Sequence, residues 1–357
     1  MIYFLIVLAI TIISCFLSKK KQNRMVIVIG FFMILLCGLR ANEVGADTDG
    51  YFKFAEFATS DESSSLFGIL YLFLRNICSV FNNSQVFIFV ISLFTIAPLL
   101  WLIRNESPLP AVSLLVFMVA ASHYYLECFN IIRQQMSVVI VFLALHFYFK
   151  KRYPLAIILF VLSFLSHKFA FFIIPILPFL RRKISFPIVI GLLSLTIILG
   201  YIGTLDFLTD MLVGLNSYAS ESAYNVASLG NYVNIHDLNS KWSFAEVLTH
   251  WFPISVVCLF GYRKDVQNNW YNLLFIGALI TNLLMSNTYC DRIASYFTMG
   301  QIFIVASALS KGSSISKIAM IAVVSFYVLF YLYTLYIQNL DIDFVDNVMP
   351  YRFFFEH

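Results

Sequence analysis

Charged residues are scarce in this chain. Only 12% of its 357 residues are Asp, Glu, Lys or Arg and 61% are hydrophobic, whereas an average soluble protein has about 25% charged residues. A soluble globular protein is excluded. The alternation of apolar and polar residues that marks a membrane β-barrel is also missing, because the apolar runs are unbroken and long enough to cross roughly 30 Å of hydrocarbon as helix. Six cysteines, at 15, 37, 78, 128, 258 and 290, show no CxxC spacing and read as packed apolar thiols rather than metal ligands or disulfides. No Walker A or Rossmann glycine pattern occurs, and no convincing internal repeat. The formal net charge of +4 gathers in short clusters at the ends of apolar runs, so no nucleic-acid partner is expected.

What the chain does contain is a series of apolar runs: 2–17, 25–39, 86–103, 110–126, 131–149, 187–204, 246–262, 269–286, 293–310 and 318–337. They predict an all-α polytopic membrane protein with about ten full spans in one integral domain over residues 1–357. The first run has no basic residues before it and is followed by Lys19, Lys20, Lys21 and Arg24, so it reads as an uncleaved span with its N-terminus outside. Residues 153–181 differ. They are split by His167 and Lys168 and flanked by basic triplets at 150–152 and 181–183, which predicts a re-entrant hairpin with His167 near its outer tip. Residues 66–81 are amphipathic, contain Arg75, and read as an interfacial or re-entrant helix on the outer side. This topology puts 15 of the 23 Lys and Arg on the inner side but leaves 17 of the 19 carboxylates outside or near the outer face. Two long polar segments then lie outside, 40–65 and 205–245, the second a candidate lid.

Ionisable groups at membrane depth are expensive and therefore candidates for function. Four clusters qualify, all on the outer side. Arg40 is followed by Asn42, Glu43, Gly45, Asp47, Thr48, Asp49 and Tyr51; Glu127 and Asn130 precede Arg133, Gln134 and Gln135; Ser166, His167 and Lys168 form the hairpin tip; Asp291 and Arg292 come just before Tyr296. Against each stands a plainer reading: an interfacial arginine, a snorkelling side chain, a structural histidine or a surface ion pair. Three arginines at headgroup level suit a polyanion, because the guanidinium fork grips phosphate oxygens in pairs and stays charged. Carboxylates, amides, tyrosines and Trp242 and Trp251 around them are the residue types that bind sugars. Asp47-Thr48-Asp49 also matches the DxD pattern that holds a divalent cation, but arginines already neutralise a diphosphate here, and no metal or other cofactor is expected.

The order Arg40, Val44-Gly45, Asp47, Tyr51, then Arg133-Gln134, then Ser166-His167, then Arg292 with Tyr296 resembles the EpsG-like and Wzy-type bacterial polysaccharide polymerases, over nearly the whole chain. The resemblance implies a GT-C-like helical architecture in the bacterial inner membrane, with an active site facing the periplasm or cell exterior. It also implies a metal-independent glycosyltransferase that polymerises undecaprenyl-diphosphate-linked oligosaccharide repeat units for O-antigen, capsule or exopolysaccharide. The partners would be that lipid-linked oligosaccharide, membrane lipid and a chain-length regulator protein. Under this reading Arg133, Arg292 and Arg40 bind the diphosphate, His167 or Asp47 is the general base, and Asp49, Tyr51, Glu127, Gln134, Asp291 and Tyr296 contact substrate. An O-antigen ligase uses the same donor and stays open as an alternative. A transporter or flippase for the same lipid is the alternative of another class, disfavoured because the inner halves of the spans carry almost no charge.

Overall fold

Without water, an apolar chain must satisfy its peptide groups internally, and helix does this within a single segment. The computed structural model describes residues 1–56, 68–120, 124–202, 249, 251–263, 269–283, 288–340 and 348–356, with residues 288–291 as backbone only, and no strand occurs among them. The helices are α1 (Ile2–Cys15), α2 (Lys19–Gly38), α3 (Thr48–Glu56), α4 (Ile69–Cys78), α5 (Ser84–Glu106), α6 (Pro110–Val119), α7 (Ile132–Phe149), α8 (Tyr153–Ser166) and α9 (Phe186–Ile202). After these come α10 (Phe252–Gly261), α11 (Asn269–Leu283), α12 (Thr288–Thr298), α13 (Gln301–Lys311) and α14 (Ser314–Gln338). Asn83 caps α5 by accepting the amide of Gln85, Ser313 caps α14, and Pro110, Pro154 and Pro253 open α6, α8 and α10, where a missing N–H costs nothing.

Ten full crossings were expected. Among the described residues five helical stretches have the length and apolarity to cross: Lys19–Gly38, Ser84–Glu106, Ile132–Phe149, Arg292–Lys311 and Ser314–Gln338. The fourth contains a turn at Met299 and Gly300 that separates α12 from α13. The run 110–126 departs most from its reading. Its helix stops at Val119 after 10 residues, about 15 Å of rise, and all ten are buried. α6 is therefore an inner element of the bundle, packed against α1 and α13, and not a lipid-facing span. By contrast α8, α9 and α14 turn many large apolar side chains outward, as surfaces that meet acyl chains do.

Polar joints hold the basic ends of the helices to one another. Gln22 donates to the carbonyls of Cys15 and Leu17 and accepts the amide of Ala111, locking the α1–α2 turn to the start of α6. Arg181 donates to the Tyr148 carbonyl and, at 3.1 Å, to the Tyr153 hydroxyl, while Asn272 donates to the Leu180 and Arg182 carbonyls at 2.9 and 2.6 Å. Both ends of segment 153–181 thus meet beside α11. His167, at its break, is extended at φ −155° and ψ 126°, and a 3-10 stretch, Lys168–Ile176, follows.

Candidate active site

The site is assembled at the opposite end of α7 from these joints, where four separate stretches of sequence meet. The first is the loop after α2. Arg40 is 0% exposed; its Nε donates to Thr48 Oγ1 at 3.1 Å, Nη2 to the Phe129 carbonyl at 3.0 Å, and Nη1 to the Cys37 carbonyl. Its backbone bridges Phe353, and Ala41 donates to the Arg352 carbonyl. Gly45 has φ +98°, and a Cβ there would lie 2.9 Å from the Phe129 carbonyl oxygen. Only glycine allows this approach without strain. The next residue, Ala46, donates to Asn130 Oδ1 at 2.7 Å, which completes the lacing of the loop to residues 129–130. Of the three arginines expected on the diphosphate, Arg40 is thus committed to protein partners. Its role is to pin the loop that presents Asp47.

The second and fourth stretches meet at the start of α7. Gln134 Nε2 donates to the Arg292 carbonyl at 2.6 Å and to Ser295 Oγ at 3.0 Å, so one amide places α12 against α7 and sets Arg292 beside Arg133. Gln135 donates to Glu127. The Arg133 guanidinium lies 5.9 Å over the ring of Tyr71 and is hydrogen-bonded to the Tyr51 hydroxyl. Burial pushes that hydroxyl up to about 12, although Arg133 and Arg40 pull the other way, so Tyr51 stays a phenol.

The third stretch is the hairpin tip. Ser166 Oγ donates to the Arg133 carbonyl at 3.1 Å, and His167 Nδ1 lies 3.2 Å from the Tyr296 hydroxyl, their rings roughly parallel at 6.4 Å. Beyond the helix end, His167 has its pKa lowered to about 3, first by burial and then by the charges of Arg133, Arg292 and Lys168. It is neutral in the free protein at any ordinary pH. Asp47 joins this group from the first loop, and the partly exposed ground between Asp47, Arg133, His167 and Arg292 forms a recess: surrounding protein raises the Asp47 pKa, and Arg292 and Arg133, in that order, oppose the shift.

Exposure sorts the expected residues. Asp47 is exposed and Arg133, His167 and Arg292 are half-buried, so these four open onto the recess. Tyr51, Gln134 and Tyr296, expected to contact substrate, are buried; they hold Arg133, Arg292 and His167 in place instead. Asp49 is turned away to Lys53 at 2.5 Å, an exposed pair one helical turn apart, and Glu127 is engaged by Gln135. With Asp49 directed elsewhere, Asp47-Thr48-Asp49 does not present paired carboxylates. The loop 205–245 with Trp242, and the Asp291 side chain, lie outside the described residues.

Sequence reasoning missed Tyr71, Ser295 and Gly68. Tyr71 is the platform under Arg133, and its signal was the buried stripe 71, 74, 78 of the amphipathic α4. Gly68 precedes α4, where a Cβ would come within 2.4 Å of the Leu165 and Ser166 carbonyl oxygens, immediately before His167. The closing segment 348–356, which pairs with Arg40 and donates from Tyr351 to the Leu36 carbonyl, also went unread.

No curated protein and no solved structure matches the chain significantly. One family model does, across residues 23–353, and the recess lies within that match. By that match over nearly its whole length, the chain belongs to the EpsG family, a Wzy-like family of polysaccharide polymerases.

Proposed function

We propose that the recess transfers a growing saccharide from one undecaprenyl diphosphate to the free end of another lipid-linked repeat unit, at the outer face of the inner membrane, on a GT-C-like scaffold. An acceptor hydroxyl attacks the anomeric carbon of the donor; the bond from that carbon to the diphosphate oxygen breaks, and the diphosphate leaves with the electron pair. The observation carrying this reading is that two half-buried arginines, Arg133 and Arg292, share a recess with a neutral histidine. The arginines meet the negative charge developing on the leaving group, the requirement of electrostatic catalysis. They need no metal to do so, and activity should survive excess EDTA.

The acceptor proton goes to His167, and its neighbours favour the tautomer this step needs. Ser137 donates its hydrogen to the Ser163 carbonyl at 2.8 Å, so its oxygen is an acceptor for the Tyr296 hydroxyl. The Tyr296 oxygen then accepts from Nδ1–H of His167, and Nε2 keeps a free lone pair. A bound diphosphate, opposing the charges of Arg133 and Arg292, raises the basicity of that lone pair when it is needed. Asp47 is left to orient the acceptor hydroxyl.

The test compares surface polysaccharide from cells lacking the gene, cells with it restored, and cells carrying Arg133→Ala. A ladder restored by the native gene, with a single repeat unit in the other two, supports polymerisation. Complete absence of repeat units without the gene would instead favour a ligase or flippase.

A further inference from the structure

The other end of α7 carries a second group of ionisable side chains that the transfer reaction does not use. Trp101 near the end of α5, His146 and Phe147 near the end of α7, and Lys150 and Arg152 just beyond it enclose a cleft of about 400 Å³. Its floor is a polar network under the cations. His146 Nδ1 lies 2.7 Å from Glu106 Oε1, and the other carboxylate oxygen accepts the Trp270 indole N–H at 3.0 Å. A carboxylate only accepts, so Nδ1 carries the hydrogen in this pair, and among the described residues Nε2 has no protein partner. Both oxygens of Glu106 are engaged, and no carboxylate lies within ion-pair distance of Lys150 or Arg152 among the described residues.

Glu106 stands near Lys150 without bonding it, and two exposed cations beside the open Nε2 of His146 suit a ligand bearing both an anion and a hydroxyl. The surroundings say where it comes from. Trp101 is 41% exposed and stacks on Phe147 at 6.1 Å, and from there Leu93 and Phe94 of α5 and Ile157 of α8 are exposed to the bilayer. An indole at this position marks the interface between headgroups and acyl chains. We infer that this cleft binds the headgroup of an anionic phospholipid with a hydroxylated head, its phosphodiester on Lys150 and Arg152 and its hydroxyl on Nε2 of His146. The acyl chains lie against the exposed faces of α5 and α8. Glu106 and Trp270 then couple the occupied cleft to α11, and α7 couples it to Arg133, about 20 Å along the same helix.

The test measures lipid binding by native mass spectrometry and thermal unfolding of the full chain in detergent, with added phosphatidylglycerol, phosphatidylcholine of the same acyl chains, or inorganic phosphate. Phosphatidylglycerol should bind and raise the melting temperature, while phosphatidylcholine should not. Lys150→Gln and Arg152→Gln should weaken phosphatidylglycerol binding about fivefold for each cation removed. Both are surface residues, and melting in phosphatidylcholine should match the native chain, showing that the variants fold. His146→Leu, which removes the ring nitrogens, should reduce the preference for phosphatidylglycerol over phosphatidic acid, added as a further lipid in the same measurement. Equal binding of phosphatidylglycerol to native and doubly substituted chains would overturn the assignment. So would a shift reproduced in full by inorganic phosphate, which would make this a site for a soluble anion.

Discussion

The two ends of α7 place a histidine in opposite company. His167, packed near its first turn, faces cations and a tyrosine hydroxyl, and among the described residues no carboxylate bonds it. His146, in its last turn, is bonded to the carboxylate of Glu106. The same side chain thus stands among cations and a phenol in one place and on a carboxylate in the other, and these neighbours set its charge preference in opposite directions. The arginines divide similarly. Arg40 has every nitrogen engaged by protein and no exposure, whereas Arg133 and Arg292 reach the recess. Fully buried and paired, a cation builds structure; half-buried, as Arg133 and Arg292 are, it can still reach a ligand's charge, as the proposed transfer requires.

The largest expected effect separates the arginines. Arg133→Ala or Arg292→Ala should lower the rate of polymerisation on a synthetic lipid-diphosphate-linked repeat unit about 10²- to 10³-fold, the usual cost of losing one preorganised donor, with the melting temperature little changed. Arg40→Ala should fail differently, by unfolding, since it removes the buried guanidinium's bonds to the Phe129 and Cys37 carbonyls and leaves Thr48 alone on Phe129. Rate loss without unfolding for Arg40→Ala would erase the distinction between the two kinds of arginine.

His167→Gln should cost about 10²-fold or more, as expected for loss of a general base. Its pH signature is sharper. With its pKa lowered to about 3, free His167 is already unprotonated at pH 5, so kcat/KM should show no acid limb near 6.5. The stability effect has a definite sign: the unfolded chain takes up a proton near pH 6.5 and the folded chain does not, so stability should fall as pH drops from about 6.5 toward 3. His167→Gln should flatten that decline. A limb in kcat/KM near pH 6.5 that vanishes in His167→Gln would mean that burial does not hold the imidazole neutral.

Much of this arrangement was legible in the sequence because charge is so scarce that each polar cluster stands out. Arg133-Gln134, Ser166-His167 and Arg292 with Tyr296 do come together, and the helix ends flanked by Arg181, Arg182 and Lys150–Arg152 meet at the other end. What could not be read was direction. Tyr296 and Gln134 are polar residues next to a site, and only packing reveals that they face inward to hold His167 and Arg292. Nor could the apolar run 110–126 disclose that its helix ends at Val119, because inner and lipid-facing surfaces of such a protein are equally apolar. Gly68 is silent in the sequence for a related reason: its importance lies in a missing side chain.

Gly68→Ala brings the comparison to its finest test. The added methyl meets two backbone carbonyl oxygens at 2.4 Å, and backbone does not yield as a side chain does, so α4 must move away from the end of α8. Overpacking of this kind costs about 1–3 kcal/mol. Because the clashing carbonyls belong to Leu165 and Ser166, directly before His167, the shift should act first on His167, the proposed base, and reach Arg133 only through the bond from Ser166. The rate should fall about tenfold, since a displacement of under 1 Å at a reacting group has effects of this order, while the affinity for the lipid diphosphate stays near native. Gly50→Ala is the control: a Cβ there meets nothing within 4 Å, and it lies in α3, on the exposed side of the same loop region. If both alanines leave the rate unchanged, the close approach of α4 to the hairpin tip does not position His167. If Gly68→Ala instead weakens diphosphate binding with an unaltered rate constant, α4 acts through Tyr71 and Arg133, and the histidine is held by Tyr296 alone.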